Sequence, residues 1–357
     1  RLAWGQVAAV VAERQGLQRL RVVVDGAEAL AVCLPQLTGP CAPGDRVLLN
    51  TTAVDLGLGT GGAHFVVARE GEGYADASGG HIVKLRYTPL QRDVLAVEEP
   101  ASEHAPALAT ADDLGTVPVV CCPLHSHVLP VAAAVKQAAP DARVVYVMTD
   151  QAALPVAISD AVADMRAAGL LDGTVTAGHA FGGDLEAVTT HSALLAAVRV
   201  LAADVVVTSI GPGVPGTASR FGHGGVAMGE TVNAVAAVRG TPVAALRISF
   251  ADARERHRGV SHHSLVALGR VALAPAKVAV PRLDQEQAAV VDDALERAGV
   301  WRVHERVLVD AELPDTRGIP MRSMGRTPEQ DPAFFLAASA AGRLAATIMR
   351  ERRAANG

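Results

Sequence analysis

Short apolar runs separated by polar turns occupy the first hundred residues of the chain. The runs are residues 7–11, 20–24, 29–33, 46–50 and 64–68. Glycine, proline and aspartate separate them, and no helical period is present. Short strands at this spacing predict a small all-β barrel or sandwich over residues 1–96, with a further strand at 83–87. Residues 97–113 are acidic, contain Ala and Pro, and predict a linker.

The pattern changes at residue 117, where β-branched runs begin to alternate with helical stripes. The runs are residues 117–120, 143–148, 174–177, 204–209 and 243–248. Each is apolar enough to be a strand buried on both faces. Three stripes lie between them: Leu154, Ile158, Val162 and Met165; Val188, Leu195, Val198 and Leu201; and Met228, Val232 and Val235. Repeated strand–helix–strand units predict a doubly wound, mostly parallel α/β sheet over residues 114–357.

Two further helices are predicted from their starting residues. Asp284 has the position of an N-cap with Gln287 three residues on, which resembles a capping box. Asp331 has the position of an N-cap before Pro332, and the apolar helix after it extends to about residue 349.

The composition and net charge of the chain exclude several classes of protein. Half of the 357 residues are hydrophobic and 19% are charged, which excludes disorder. The formal net charge of −5 argues against a dedicated nucleic-acid binder. No uninterrupted apolar run of about 18 residues is present, so we expect no membrane span. Four cysteines without a Cys-x-x-Cys pair indicate a reduced, cytoplasmic protein.

Polar residues follow each predicted parallel strand. Because ligands bind beyond the carboxyl ends of such strands, we expect these loops to form one site. The loops contain Cys121, Cys122, His125, Ser126 and His127; then Thr149 and Asp150; then His179, Asp184 and Glu186; then Gly211, Gly213, Gly216, Thr217 and His223; and finally Asp252, Arg254, Arg256, His257, His262 and His263. Cys121 and Cys122 fit core thiols at a buried strand end.

The glycine-rich loop has two interpretations. Gly211, Gly213 and Gly216, with Thr217, would let backbone N–H groups approach a phosphate or carboxylate closely. The same glycines would also suit a tight turn between strand and helix. The loop is not a P-loop, since Gly-Lys-Ser/Thr is absent, and the acidic residue expected of a dinucleotide site is also missing.

The loop after the third strand offers acid–base groups. His179 fits a general base or a metal ligand, with Asp184 or Asp150 as the carboxylate that fixes its tautomer. Alternatively, Asp184 is a helix N-cap and Glu186 a favourable charge in the first helical turn.

The loop after the fifth strand has the densest cluster of charged and imidazole side chains. Arg254, Arg256 and Arg258 could hold a phosphate or carboxylate bidentately, and Asp252 could be a partner of the acid–base histidines. His257 with His262 or His263 could ligate a divalent metal, although the spacing matches no standard zinc pattern. The alternative is a loop of arginines and histidines paired with neighbouring acids. His125 and His127 could both reach one site from an extended chain, or face solvent.

Several unusual strings resemble an uncharacterised bacterial family, domain of unknown function 3866. They are residues 50–55, 59–62, 84–89, 178–184, 211–213 with 216–217, 256–263 and 323–326. The resemblance covers the whole chain. It implies no reaction, cofactor or catalytic residue.

These observations lead to two hypotheses of different class. The first is an enzyme, a hydrolase or group transferase, acting on a small anionic metabolite that is phosphorylated or nucleotide-like. In it, His179, Asp184, His257, His262 and His263 supply acid–base chemistry or a metal site. The second is a non-catalytic metabolite sensor or scaffold. We expect a homo-oligomer with neither nucleic-acid nor membrane partners.

Overall fold

A computed structural model describes residues 1–71 and 78–356 of the chain. It divides into two compact units, Arg1–Leu95 and Ala96–Gly357. The first is a β barrel with a small additional hairpin, and the second is a parallel α/β sheet. The predicted fold class is therefore confirmed.

The first unit is built around a closed five-stranded barrel. Its elements are β1 (Leu2–Arg14), β2 (Leu17–Val24), β3 (Ala27–Cys33), α1 (Pro35–Thr38), β4 (Arg46–Asn50), α2 (Thr52–Asp55), β5 (Ala63–Arg69), β6 (Ile82–Lys84) and β7 (Arg92–Val94). The barrel order is β1-β2-β3-β5-β4, and only β3 and β5 pair in parallel. Leu20, Val22, Val47 and Leu49 fill its interior because alternate residues of a strand face the same side. All five predicted barrel strands are confirmed.

The strand predicted at residues 83–87 is shorter than expected. It is β6, Ile82–Lys84, paired antiparallel with β7 in a separate hairpin. The strand ends at Lys84 because Leu85 and Tyr87 adopt left-handed backbone conformations, with φ of 51° and 57°. A side chain at positive φ cannot continue the pleat of a strand.

The second unit is a sheet of eight parallel strands. Its elements are α3 (Ala105–Leu108), β8 (Pro118–Cys121), α4 (Val128–Ala138), β9 (Val144–Thr149), α5 (Asp160–Ala167), β10 (Gly173–Ala177), β11 (Leu185–Ala187), α6 (Thr190–Arg199), β12 (Val205–Ile210), α7 (Ala227–Ala237), β13 (Thr241–Ala245), β14 (Ile248–Ser249), β15 (Gly259–Val260), α8 (His262–Val266), β16 (Lys277–Pro281), α9 (Gln285–Arg297), β17 (Glu305–Val309) and α10 (Pro332–Asn356). The sheet order is β11-β10-β9-β12-β8-β13-β16-β17. β14 and β15 form a separate short hairpin.

Apolar layers cover both faces of the sheet. Val145 and Val147 of β9 belong to one layer with α6 and α7, whereas Val144 and Tyr146 belong to the other with α4 and α10. Successive side chains of a strand point to opposite faces, so each buried strand serves both layers. This is why the strands consist of unbroken β-branched runs.

The predicted apolar stripes do mark helices, but not every helix has the predicted ends. The first stripe begins too early, because the side chain of Ser159 accepts a hydrogen bond from the Val162 amide and starts α5 only at Asp160. Leu154 and Ile158 therefore lie in the preceding turns. Asp284 caps α9 by accepting from the Gln287 amide, as predicted.

Residues 97–113 are part of the second unit in the structure. Val97 is buried, and its amide donates to the Glu186 carbonyl at 2.7 Å. Ala96 forms an isolated parallel bridge with Glu186. The segment predicted as a linker thus carries backbone contacts to the edge of the sheet and contains the short helix α3.

Helix α10 is the long apolar element of the chain. Among the described residues it alone is long and apolar enough to cross a bilayer, and 72% of its most apolar window is buried within the protein. It packs on α4 and on the sheet as a core helix. Gly342 allows close contact, because a Cβ there would lie 2.4 Å from the Val131 carbonyl oxygen of α4.

We predict that Gly342→Ala destabilises the second unit despite the higher helix propensity of alanine. Propensity alone would favour alanine by about 1 kcal/mol, whereas forcing α4 and α10 apart costs about 1–3 kcal/mol. Thermal and denaturant unfolding measure the difference. Gly59→Ala is the control, because no atom lies within 4 Å of its Cβ position. A variant as stable as the parent would show that the helix contact is not tight.

Candidate active site

The loops that carry the predicted site residues leave one edge of the sheet. β8, β9, β10, β12 and β13 are parallel, so the residues that follow them lie beyond the same carboxyl edge. This is the position at which open α/β sheets bind ligands.

Four histidine rings form a mutual cluster at this edge. His223 and His263 are stacked with centroids 3.9 Å apart and planes at 9°. His262 lies 4.5 Å from His263 and 4.9 Å from His223. His257 lies 5.0 Å from both His262 and His263. We call these four residues the histidine cluster; His262 is half-buried and the other three are buried.

The start of helix α8 positions three of these rings. The Ser261 side chain accepts a hydrogen bond from the His263 amide at 3.3 Å, which caps the helix. The same hydroxyl lies 2.7 Å from Nδ1 of His257. The β14–β15 hairpin, with Ile248 opposite Val260, presents this turn to the sheet. One N-cap serine thereby fixes both the backbone and an imidazole of the cluster.

The glycine-rich loop supplies the fourth ring and the space around it. Gly216 and His223 form an antiparallel bridge, and Nε2 of His223 lies 3.0 Å from the Arg220 carbonyl oxygen. At Gly225 a Cβ would lie 2.9 Å from Cβ of His263 and 3.0 Å from Nδ1 of His223. Gly225 is thus required by the close packing of two imidazoles.

Other residues of this loop have structural partners. A Cβ at Gly211 would lie 2.1 Å from the Ala153 carbonyl oxygen, and Gly213 has a positive φ of 79°. The Thr217 amide donates to the Gly222 carbonyl. These contacts explain Gly211 and Thr217 as parts of a tight turn, the second of the two interpretations from sequence.

A buried network of arginines and aspartates adjoins the cluster. Asp252 accepts from Arg254 at 3.0 Å, from Arg326 at 3.3 Å and from Arg247 at 3.4 Å. Asp331 accepts from Arg326 at 3.0 Å. Burial alone would raise the pKa of Asp252, but the hydrogen bonds and charges of Arg254 and Arg247 hold it below its ordinary value. Asp252 and Arg254 are therefore bound to each other and to neighbouring arginines.

The histidines of the cluster are neutral at pH 7. Burial lowers the pKa of His257 to about 3 and that of His262 to about 4. Burial and the neighbouring His223 and Arg247 also lower the pKa of His263. Each ring therefore keeps one nitrogen lone pair free of a proton at physiological pH.

Three of the neutral rings have the geometry of a metal-ligand set. One nitrogen from each of His223, His262 and His263 lies within 4.8 Å of the other two. Nδ1 of His223 and Nε2 of His262 are buried and have no hydrogen-bond partner among the residues that the structure describes. Imidazole nitrogens of this kind are common ligands of divalent transition metals.

Two clefts open at the same edge. The larger, of about 360 Å³, is lined by Gln151, Pro215, Gly216, Thr217, Phe221, Gly222, His223, Gly224 and Val226. The smaller, of about 160 Å³, is lined by Thr149, Asp150, Gln151, Thr190, His191, Ala227, Glu230, Thr231 and Ala234. Gln151 lines both clefts. His223 lines the larger one, so the histidine cluster borders a space large enough for a small molecule.

The comparisons with known proteins identify the family of the chain. The model of the family described as "Protein of unknown function (DUF3866)" matches residues 30–342. The chain belongs to DUF3866. No curated protein and no solved structure matches it significantly. Two of the strings that predicted this membership, 256–263 and 323–326, contribute residues to the histidine cluster or its arginine network, and Gly216 of a third forms a bridge with His223.

The structure holds the partly buried His125 of this DUF3866 protein between two side chains. Its Nδ1 lies 3.0 Å from the Tyr146 hydroxyl and its Nε2 lies 2.7 Å from Oγ of Ser159. Both ring nitrogens are therefore already used, and the structure does not offer His125 to a ligand. Cys121 and Cys122 are buried, and burial raises the pKa of both thiols, as expected of core cysteines.

His179 and Asp184 are not brought together as an acid–base pair. His179 follows the carboxyl end of β10, and its amide donates to Asp150 at 2.8 Å. The Asp184 carboxylate accepts from the Thr174 amide near the beginning of β10 and pairs with Arg166. The chain reverses between β10 and the parallel strand β11, which carries Asp184 back along the sheet. Neither is Asp184 an N-cap, since the next helix begins at Thr190.

Arg247 escaped the sequence reasoning. It lies within a run that the pattern predicts as an apolar strand, yet it is the buried partner of Asp252 and lies 3.5 Å from Nδ1 of His263. A lone arginine within a buried strand pattern is the signal that could have found it. Arg256 lies exposed near the cluster.

We predict that His125 makes stability fall at low pH. Burial lowers its pKa to about 4 in the folded chain, against about 6.5 in the unfolded chain. The unfolded state therefore binds the proton first, and stability is lost as the pH falls below 6.5. Between pH 7.5 and 5, the parent should lose about 2 kcal/mol more than His125→Gln in denaturant unfolding.

His104→Gln, at a partly exposed histidine, is the control for that series and should leave the pH dependence of the parent unchanged. Equal pH dependence in the parent and in His125→Gln would contradict the buried position of His125.

We predict that Asp252→Asn destabilises the second unit by about 3–5 kcal/mol, because it leaves buried arginine charge unpaired. Denaturant unfolding measures the loss. Asp310→Asn is the matched control: its carboxylate is 87% exposed and lies 4.0 Å from Arg282. The control should change stability by less than about 1 kcal/mol. A similar, small effect at both positions would show that Asp252 does not organise the arginines.

Proposed function

We propose that the chain is an enzyme, a hydrolase or group transferase, acting on a small anionic metabolite that is phosphorylated or nucleotide-like. The metabolite would bind at the carboxyl ends of the parallel strands. The observation that carries the proposal is the convergence of four neutral imidazoles with a buried arginine network at that edge.

The charge of the network favours an anion. Three guanidinium groups, those of Arg247, Arg254 and Arg326, share two carboxylates, those of Asp252 and Asp331. Three positive and two negative charges leave one positive charge beside the cluster. In a site with little water such a charge attracts phosphate or carboxylate groups strongly. The exposed side chains of Arg256 and Arg258 add positive charge to the same loop.

The imidazoles supply the reactive groups. A neutral imidazole can accept the proton of an attacking water or hydroxyl group, so that the oxygen forms a bond to the electrophilic centre as the leaving group departs. His262 is the most accessible ring of the cluster, and it can take part either as this proton acceptor or as a ligand of a metal ion whose bound water would be the nucleophile. Hydrolysis and group transfer are favoured over redox chemistry because the glycine loop lacks a complete dinucleotide fingerprint.

A cytoplasmic location accords with this proposal. All four cysteines are free and buried, and a chain with unpaired thiols suits a reducing compartment.

Turnover by the purified full chain tests the proposal. Phosphate monoesters, nucleoside phosphates and small carboxylate esters are incubated with the protein, and product release is measured. His262→Gln should reduce kcat of any active substrate by about 10²-fold or more, since a proton-transfer group contributes 10²–10⁴-fold. His104→Gln, outside the site, should leave it unchanged.

The sensor hypothesis predicts a different result. An anion would raise the melting temperature of the parent without being consumed, and His262→Gln would respond equally. That outcome, or turnover that survives His262→Gln in a folded variant, would overturn the enzyme proposal.

A further inference from the structure

We propose that His223, His262 and His263 bind one divalent transition-metal ion of the zinc class. The site is the one on which the proposed function rests, and the inference deepens that function by naming a cofactor. Three imidazoles from two loops converge there, with one nitrogen of each within 4.8 Å of the others.

The unpartnered nitrogens are the strongest evidence. His223 is 96% buried, since its relative exposure is 4%, yet its Nδ1 has no hydrogen-bond partner within residues 1–71 and 78–356. Nε2 of His262 is likewise buried and unpartnered in that part of the chain. A buried polar atom without a partner costs free energy, and such atoms are rare in folded proteins. Two of them in adjoining rings indicate a shared ligand.

The tautomer of His223 suits coordination. Its Nε2 lies 3.0 Å from the Arg220 carbonyl oxygen, which can only accept a hydrogen bond. The proton of the neutral ring is therefore on Nε2, and the lone pair is on the unpartnered Nδ1. Metal-bound histidines commonly donate their other N–H to a backbone carbonyl in this way.

Gly225 and Gly216 leave room for close approach. A Cβ at Gly225 would lie 3.0 Å from Nδ1 of His223, and a Cβ at Gly216 would lie 3.9 Å from Nε2 of His263. A Cβ at Gly225 would crowd Nδ1 of His223, whereas a Cβ at Gly216 would make ordinary van der Waals contact with Nε2 of His263 and would lie 3.2 Å from Cβ of His223. The glycines of the loop thus accommodate the imidazoles as well as the turn.

The charged side chains near the three histidines affect how strongly the site would bind a cation. Arg247 lies 3.5 Å from Nδ1 of His263, and its charge opposes a cation. Asp252 lies 3.4 Å from Arg247 and offsets part of that charge. Coordination of His263 through Nε2 would place its proton on Nδ1 and lengthen the contact with Arg247. Because Asp252 is bound to the arginines, the free energy of ion binding would come from the three imidazole nitrogens.

The donor set indicates the class of ion. Neutral imidazoles suit Zn²⁺, Co²⁺, Ni²⁺ and Fe²⁺, whereas Ca²⁺ and Mg²⁺ require oxygen ligands. Three protein ligands leave a position for water or substrate, as in catalytic zinc sites. His223 also lines the larger cleft, so a substrate in that cleft would be near the ion.

His257 offers a matched control within the cluster. It is buried like His223 and His263 and more deeply than His262, but its Nδ1 is bonded to Ser261 and it is not among the three convergent ligands. Replacing it should disturb packing at least as much as replacing His262 would, without removing a donor to the ion.

The test measures metal binding by the full chain without a substrate. The protein is purified and stripped with chelator, then titrated with Zn²⁺ and separately with Co²⁺, and metal content and melting temperature are followed. We expect one ion per chain, with a Kd of about 1 µM or lower, and a rise in melting temperature. His262→Gln should weaken binding by more than about 100-fold, beyond what loss of a supporting contact costs.

His257→Gln should change the affinity for Zn²⁺ by less than about 10-fold, the lower end of a supporting contact. The inference is overturned if the parent binds neither ion, or if folded His262→Gln binds as tightly as the parent. Because binding is read without turnover, a metal-loaded but inactive protein would contradict the enzyme proposal alone. Turnover that persists in metal-free protein would contradict only a catalytic use of the ion.

Discussion

The arrangement of the site depends on one buried carboxylate. Asp252 accepts hydrogen bonds from Arg247 after β13, from Arg254 in its own loop and from Arg326 before α10. These three segments are far apart in the sequence, and the loop that carries His257 and His262 lies between two of them. A buried charge without a partner is very costly, so each arginine is held where Asp252 can reach it. Arg247, which Asp252 holds, lies 3.5 Å from Nδ1 of His263, so this constraint extends to the histidine cluster.

Much of the fold was predictable because it follows from local periodicity. The barrel strands and the parallel strands β8, β9, β10, β12 and β13 show β-branched runs between turn residues, and Asp284 showed where α9 begins. Helix α4 was missed because it is buried almost all round and therefore has no polar stripe. The apolar layers on both faces of the sheet could be inferred, but contacts such as that of Gly342 with Val131 could not.

The site was less predictable because its contacts connect distant positions. That several loops share one edge follows from parallel strands, and His257, His262 and His263 are brought together as that expectation required. His125 is 21 residues from Tyr146, and only the tertiary structure shows that both of its nitrogens are occupied. Asp184 follows His179 closely in the sequence, which suggested an acid–base pair. The chain reverses between β10 and β11, however, and this reversal separates the two residues.

His127 shows what distinguishes the cluster from an ordinary buried histidine. It too is buried with an unpartnered Nδ1, but its Nε2 contacts the Leu246 carbonyl and its ring packs 4.4 Å from Phe334. A single orphaned nitrogen is thus tolerated in the core and does not define a site. At the histidine cluster, the orphaned nitrogens of His223 and His262 belong to rings only 4.9 Å apart, beside a third imidazole. Removing several imidazoles from water together costs free energy, and it gains little from burial of apolar surface. Their convergence is therefore better explained by a shared ligand than by packing.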